Sequence, residues 1–111
     1  MAKEKIILTP DVLSNLQKVG QNIRLARLRR DIPLSLVCER SGLSRQTVVN
    51  VEKGLPSVSF GAYAAVLHAL QGLDSDLQLI AKDDNYGRLM QDLGLVTKKR
   101  ASKSKKTVFK K

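Results

Sequence analysis

The sequence predicts an all-α fold, and three kinds of local signal support this prediction. Apolar residues recur at near-helical spacing between Leu13 and Leu28. Capping residues stand where helices would begin, and Gly or Pro stands where they would end. The signals are most explicit in residues 34–54, where two capped helices fit into 21 residues. We therefore expect the chain to be organised around this stretch.

The length and composition limit the class of protein. A chain of 111 residues has the size of one domain and leaves no room for a large enzyme fold. Aromatic residues make up 4% of it, so the core must be aliphatic, and a single cysteine, Cys38, excludes an internal disulfide or a Cys-rich metal site. No apolar run has the roughly 20 residues that span a bilayer or the length of a signal peptide. We expect a cytoplasmic protein with no membrane partner, metal or cofactor.

The formal net charge of +10 lies mostly at the C-terminus. Residues 98–111 contain eight Lys or Arg and no acidic residue, whereas residues 1–97 contain 12 basic and 10 acidic residues. Within that part, residues 1–60 are predominantly basic and residues 61–97 predominantly acidic. We therefore predict a folded domain, residues 1–97, and a basic tail, residues 98–111, which is disordered because it cannot bury enough apolar area.

The elements are predicted in order along the chain. Residues 3–8 are a weak candidate for a strand. The expected helices span about residues 10–30, 35–40, 45–53, 60–70 and 74–82, with a short helical turn at 88–93. Thr9 and Pro10 mark the start of the first helix, and Ser57-Val58-Ser59 is expected to cap the fourth. Gly20 within the first helix marks either a kink or a close approach of another helix. The expected core residues of these helices are Leu13, Leu16, Val19, Ile23, Leu25, Leu28, Val48, Val51, Phe60, Tyr63, Leu67, Leu70, Leu77 and Ile80.

Residues 34–54 have the pattern of a helix-turn-helix. Ser35 and Ser44 are each expected to cap a helix, Gly42 supplies the turn, and Gly54 follows the end of the second helix. At about 100° per residue, the face opposite the core of that second helix carries polar side chains that donate and accept hydrogen bonds. The residues on this face are Gln46, Asn50 and Lys53.

Two motifs resemble a known family. The pattern GxxIRxxR from Gly20 to Arg27, followed by GLSxxTVxxVExG from Gly42 to Gly54, resembles the Cro/C1 (Xre) domain of phage repressors and bacterial antitoxins. The resemblance covers about residues 19–70, and its ending, VEKGxPSVS before an Ala-rich helix, is most similar to HipB-type antitoxins. It implies a five-helix, lambda repressor-like DNA-binding domain that binds double-stranded operator DNA as a homodimer, with a HipA-like kinase toxin as partner.

The resemblance also implies roles for individual residues. The second helix of the motif enters the major groove, which places Arg45, Gln46 and Asn50 at base edges, where Arg suits guanine and the amides suit adenine. The implied contacts to the DNA backbone are Ser35, Ser44, Thr47, Lys53 and Arg24, with Arg29 and Arg30 as further candidates. Arg27 and Glu52 are implied to form a structural ion pair between the first and third helices. Ile32-Pro33-Leu34 departs from the family, which has Gln or Thr at the start of the second helix, so Ser35 is expected to replace that phosphate contact.

Several features have a second interpretation. The polar face of the third helix also fits an ordinary solvated surface, and an exposed Arg is often only solubilising. The basic tail either adds sequence-independent phosphate contacts or only raises solubility. Its apolar patch, Thr107-Val108-Phe109, is a candidate for docking on a partner. The apolar residues near the end of the domain form either a dimer interface or ordinary core: Leu89, Met90, Leu93, Leu95 and Val96. Cys38 is expected to be packed, and His68 to be structural or exposed.

The function predicted from these features is that of a DNA-binding repressor and antitoxin, and not of an enzyme. The sequence lacks the spacing typical of catalytic carboxylate pairs, Cys/His sites, metal ligands or phosphate-binding loops. A stand-alone phage-type repressor is the alternative within the same fold. A protein-interaction module that has lost DNA binding is the alternative in another class.

Overall fold

The computed structural model describes residues 6–94, and within this range the protein is all-α. Five α-helices and one 3₁₀ helix follow one another: α1 (Pro10–Arg29), α2 (Leu34–Ser41), α3 (Arg45–Glu52), α4 (Phe60–Ala69), the 3₁₀ helix (Leu73–Leu79) and α5 (Asn85–Asp92). Residues 6–8 are not in a strand, and the rest of the weakly predicted strand lies outside the described residues. The chain forms two compact units, one ending at Gln78 and the other beginning at Leu79.

The predicted helix starts are confirmed where a side chain caps the helix. Thr9 Oγ1 accepts a hydrogen bond from the Val12 N–H at 3.3 Å, and Ser59 Oγ accepts one from the Ala62 N–H at 3.1 Å. Pro10 occupies the first position of α1, where the lack of an N–H has no cost. The hydroxyls satisfy N–H groups that a helix start leaves without a partner in the helix.

The predicted cap of α2 is wrong. Helix α2 begins at Leu34, one residue earlier than expected, and the residue before it is Pro33, which makes no side-chain capping bond. The Pro33 carbonyl accepts the first helical hydrogen bonds, from the N–H groups of Leu36 and Val37. Ser35 therefore lies inside the first turn and is exposed rather than capping it.

The first unit has an aliphatic core that includes one tyrosine, Tyr63. Helix α3 packs against α1, α2 and α4, and its Val48 and Val51 are fully buried as predicted. Burial of Ile23, Tyr63 and Leu70 is also confirmed. The core residues are Ile23, Ala26, Ile32, Val37, Val48, Val51, Ala62, Tyr63, Val66, Ala69 and Leu70.

Part of the predicted core is wrong. Helix α1 buries Gly20, Ile23 and Ala26, so its contact side includes small residues that a search for large apolar side chains overlooks. Phe60, at the first position of α4, is 65% exposed, because the helix turns Ala62 and Tyr63 inward instead. The remaining predicted core residues that the structure exposes are Val19, Leu25, Leu28 and Ile80.

Gly20 marks a close approach of two helices. An added Cβ at Gly20 would lie 2.7 Å from the Val51 carbonyl oxygen and 2.8 Å from that of Glu52, and it would also meet the Gly54 nitrogen. Gly54 has a φ of +71°, and a Cβ there would lie 2.6 Å from the Gln17 Cα. The backbones of α1 and of the end of α3 therefore touch, which confirms the close-packing alternative for Gly20.

The end of the described chain differs from the predicted helices. The segment expected as helix 74–82 is the 3₁₀ helix Leu73–Leu79, and the turn expected at 88–93 belongs to α5. Helix α5 is capped by Asp84, whose Oδ1 accepts a hydrogen bond from the Gly87 N–H at 3.1 Å. None of the helices within residues 6–94 is long and apolar enough to cross a membrane. Leu95, Val96 and the basic tail 98–111 lie outside the described residues.

Candidate nucleic-acid interface

The N-terminus of α3 is built by the turn that precedes it. Gly42 has a φ of +75°, a left-handed conformation that ends α2 and redirects the chain. Ser44 Oγ then accepts a hydrogen bond from the Thr47 N–H at 3.2 Å and lies 2.9 Å from Thr47 Oγ1. The first turn of α3 contains no acidic residue, so the positive end of its helix dipole is not neutralised within the helix. Such a terminus favours an anionic group such as a phosphate.

The inner side of α3 is fixed by apolar packing and by an ion pair. Arg27 Nε donates to Glu52 Oε2 at 2.6 Å, and Arg27 Nη2 donates to Glu52 Oε1 at 3.1 Å, a bidentate arrangement. Arg27 Nη1 also donates to the Ile32 carbonyl at 3.1 Å. The two side chains are 12% and 7% exposed, so the only carboxylate of α3 is paired and turned away from solvent.

The outer side of α3 brings two of the predicted base-contacting residues, Gln46 and Asn50, into contact. Arg45 and Gln46 are exposed and Asn50 is half-buried. Gln46 Nε2 donates to Asn50 Oδ1 at 2.9 Å, one helical turn further along. Gln46 keeps its carbonyl oxygen and a second N–H free, and Asn50 keeps its NH₂ group. Lys53 stands exposed at the end of the helix.

The predicted backbone-contacting residues outside α3 are distributed over α1 and α2. Arg24 and Arg29 are exposed on α1, and Ser35 is exposed in the first turn of α2. Arg30 is already engaged, because its Nε donates to Gln71 Oε1 at 3.0 Å and its Nη1 donates to the Ala26 carbonyl at 3.1 Å. Arg30 therefore ties the end of α1 to the end of α4 and is a weaker candidate than the other two arginines.

The loop between α3 and α4 is held by a buried tyrosine. Tyr63 Oη donates a hydrogen bond to the Leu55 carbonyl at 2.8 Å, directly after the turn at Gly54. Burial raises the pKa of the Tyr63 hydroxyl, because the charged phenolate is poorly solvated there. This bond fixes the path by which the chain leaves α3.

One residue on the outer side of α3 was missed by the sequence analysis. Val49 is half-buried, but it does not belong to the core or to the apolar residues packed against it. It lies four residues after Arg45 and four before Lys53, and therefore on their side of the helix. Val49 lies on the same helical projection as Gln46 and Lys53, but an apolar side chain lacks the donors and acceptors that indicate base readout.

The cysteine and the histidine of the described residues lie in different surroundings. Cys38 is half-buried and packs against the core. His68 is 74% exposed, and its Nδ1 lies 3.1 Å from Asp74 Oδ1 at the surface. Within residues 6–94, no group of three or more His, Cys, Asp or Glu side chains is placed to hold a metal ion.

Comparisons with models of protein families and with curated proteins find no significant match to this chain.

Proposed function

We propose that this protein is a sequence-specific, double-stranded DNA-binding transcriptional repressor with a Cro/C1-type domain. The observation that carries the proposal is the two-sidedness of α3. Its inner side is fixed by Val48, Val51 and the Glu52 ion pair, and its outer side presents hydrogen-bonding and basic groups without an unpaired carboxylate. A rigid helix with such an outer side suits the major groove, where base edges are distinguished by their donors and acceptors.

The side chains of α3 have the chemistry for distinct contacts. Arg45 is able to donate two hydrogen bonds to O6 and N7 of guanine. Gln46 is able to accept from N6 and donate to N7 of adenine while its other N–H remains bonded to Asn50, which holds the amide in place. Ser44, Thr47 and the first N–H groups of α3 face a phosphate in this arrangement, and Lys53, Arg24 and Ser35 extend the contacts to the DNA backbone.

The active form in this proposal is a homodimer. One helix-turn-helix reads only a few base pairs, and useful specificity comes from two half-sites about 34 Å apart. Tyr86, Leu89 and Leu93 support self-association, because they are 73%, 53% and 62% exposed and recur at the spacing of one helical face. Such a stripe on a short exposed helix is more apolar than a solvated surface requires.

The narrower proposal is that the repressor is the antitoxin of a HipBA-like module and binds a HipA-like kinase toxin. It rests on the resemblance of the residues after α3 and on the acidic composition of residues 61–97. Co-expression with the product of the adjacent reading frame tests it. A neighbouring gene that does not encode a kinase, or a kinase that does not co-purify, would favour the stand-alone repressor.

Selection from a random duplex DNA library, using the full chain, tests the main proposal. We expect one sequence class to be enriched, and we expect Arg45→Ala and Gln46→Ala each to lose about 1–3 kcal/mol of discrimination, roughly 5- to 150-fold in Kd. Gln78→Ala is the matched control, because Gln78 is an exposed glutamine outside α3. Variants at Arg45 and Gln46 that still distinguish the selected duplex from a scrambled one would refute the proposal.

A truncated chain separates affinity from specificity. Removing residues 98–111 deletes eight positive charges. We expect weaker binding to all duplexes and a flatter dependence of affinity on salt, with unchanged sequence preference. If Arg45, Gln46 and Asn50 were dispensable and only the truncation mattered, the protein-interaction module with a nucleic-acid-binding arm would be the better description.

A further inference from the structure

The apolar side chain of Val49 is the starting point of the inference. Val48 and Val51 of the same helix are fully buried, whereas Val49 is half-buried and is not packed against the core. The folding of α3 is thus explained without Val49. A β-branched residue also lowers helix propensity relative to alanine, so helix formation does not account for its presence.

The surroundings of Val49 indicate which kind of partner covers it. Arg45 and Lys53 stand one turn before and one turn after it, and Gln46 lies three residues before it. The only carboxylate of α3 is paired with Arg27 on the inner side. A partner at this face must therefore be anionic and must offer hydrogen-bonding groups beside a small apolar group. The major groove of DNA combines these features at thymine, whose C5-methyl group lies next to the donors and acceptors of neighbouring bases.

We propose that Val49 contacts the C5-methyl group of a thymine next to the base bound by Gln46, and thereby determines specificity at that position. This inference rests on the proposed function. It adds a thymine to each half-site of the operator and assigns a direct base contact to a residue without polar atoms. Asn50 then has two effects, because it contacts DNA itself and holds Gln46 at the distance that leaves room for Val49 beside the methyl group.

The test replaces thymine by deoxyuridine, which removes only the methyl group and keeps every hydrogen-bonding atom. The duplex enriched from the random library by the full chain is synthesised with deoxyuridine at each thymine in turn, and Kd is measured by fluorescence anisotropy. We expect one position in each half-site to lose affinity about fourfold, the effect of removing one buried methyl group. We expect Val49→Ala to bind the thymine duplex more weakly and to be insensitive to deoxyuridine at that position.

A matched variant controls for general effects of the substitution. Val12→Ala makes the same change at a valine that is 42% exposed on α1, and we expect it to keep the full sensitivity to deoxyuridine. Thermal unfolding of Val49→Ala checks the fold, which should be retained because Val49 lies outside the core.

The possible outcomes separate this inference from the proposed function. If a duplex is enriched but no deoxyuridine substitution weakens binding, or if Val49→Ala remains sensitive to it, the role of Val49 is refuted and DNA recognition stands. If the library yields no enriched sequence, both the inference and the proposed function are refuted. A single sensitive position per half-site that becomes insensitive in Val49→Ala supports both.

Discussion

Replacing Gly20 by Ala tests the contact between α1 and α3. The new Cβ would lie 2.7 Å from the Val51 carbonyl oxygen and 2.8 Å from that of Glu52, and neither backbone atom can rotate away. Alanine improves the propensity of α1 by about 1 kcal/mol, but overpacking costs about 1–3 kcal/mol. Because the contacts are with backbone, we expect the upper end of that cost and a net loss of about 2 kcal/mol in the free energy of unfolding.

Gly61 provides the matched control for this substitution. It lies in α4, has a helical conformation, and an added Cβ would meet only Ser59 Oγ at 3.9 Å. Gly61→Ala should therefore gain about 1 kcal/mol from helix propensity without strain. The free energies of unfolding of the two variants should therefore differ by about 3 kcal/mol, with Gly20→Ala below the wild type and Gly61→Ala above it. The change in side chain is identical in the two variants.

Urea denaturation followed by circular dichroism measures this difference. We expect the midpoint to fall in Gly20→Ala and to rise in Gly61→Ala, with similar m-values. If Gly20→Ala were as stable as Gly61→Ala, α1 and α3 would not be in close contact at Gly20, and this contact would not fix the position of α3.

Four further variants test the helix caps and the supports of α3. Ser44→Ala should lose about 1 kcal/mol because it removes a helix cap, whereas Ser35→Ala should change stability by less than about 0.5 kcal/mol. Glu52→Gln should lose about 2–3 kcal/mol because it leaves the charge of Arg27 unpaired in a mostly buried position. Tyr63→Phe should lose about 1 kcal/mol at neutral pH, with its deficit relative to the wild type shrinking as pH rises above about 10. Denaturant midpoints measure the stability of all four variants.

The direction of the Tyr63 effect follows from its protonation. Burial raises the pKa of Tyr63 above its ordinary value of 10.0, so the folded protein keeps this proton at a pH where the unfolded chain has released it. The stabilisation is therefore complete below pH 10 and is lost as pH rises through the folded pKa. A constant difference between wild type and Tyr63→Phe from pH 8 to 11 would contradict this.

The predictions for the serine caps and for the Arg27–Glu52 ion pair can be contradicted just as directly. Equal losses in Ser44→Ala and Ser35→Ala would mean that α2 and α3 are capped alike. A double variant, Arg27→Met with Glu52→Leu, should recover much of the stability lost in Glu52→Gln, because it removes both charges. If it were less stable than Glu52→Gln, the loss would come from packing and not from an unpaired charge.

The sequence predicted the helix starts best, because the signals for them are local. Thr9, Ser44 and Ser59 act through hydrogen bonds to N–H groups three residues later, which need no information from the rest of the chain. The burial of Val48 and Val51 followed from helical periodicity in the same way. The cap predicted at Ser35 is wrong because the sequence alone does not distinguish a serine inside the first turn of a helix from a serine at its N-cap.

The features that were missed depend on tertiary contacts. The buried side of α1 consists of Gly20, Ile23 and Ala26, and the lack of a side chain at Gly20 lets the end of α3 approach. The spacing of large apolar residues does not reveal such small buried residues. Phe60 is predicted to be buried because it shares one helical stripe with Tyr63, yet its place at the first position of α4 leaves it 65% exposed. Val49 is not predicted as a site residue because an apolar side chain is expected in the core, and contact with DNA bases is expected of polar side chains.

Because the inner side of α3 packs against the core and the outer side does not, binding and stability measurements together distinguish a lost DNA contact from a damaged fold. Gln46 and Val49 do not belong to the core, so their replacement by alanine should change Kd without changing the unfolding midpoint. Gly20→Ala should change both, because it displaces the helix that presents them. A variant that loses binding specificity but keeps its stability therefore identifies a residue that contacts DNA. A variant that loses both specificity and stability identifies a residue that holds α3 in place. If Gln46→Ala unfolded as readily as Gly20→Ala, the outer side of α3 would be part of the fold, and its residues would not serve as an independent reading surface.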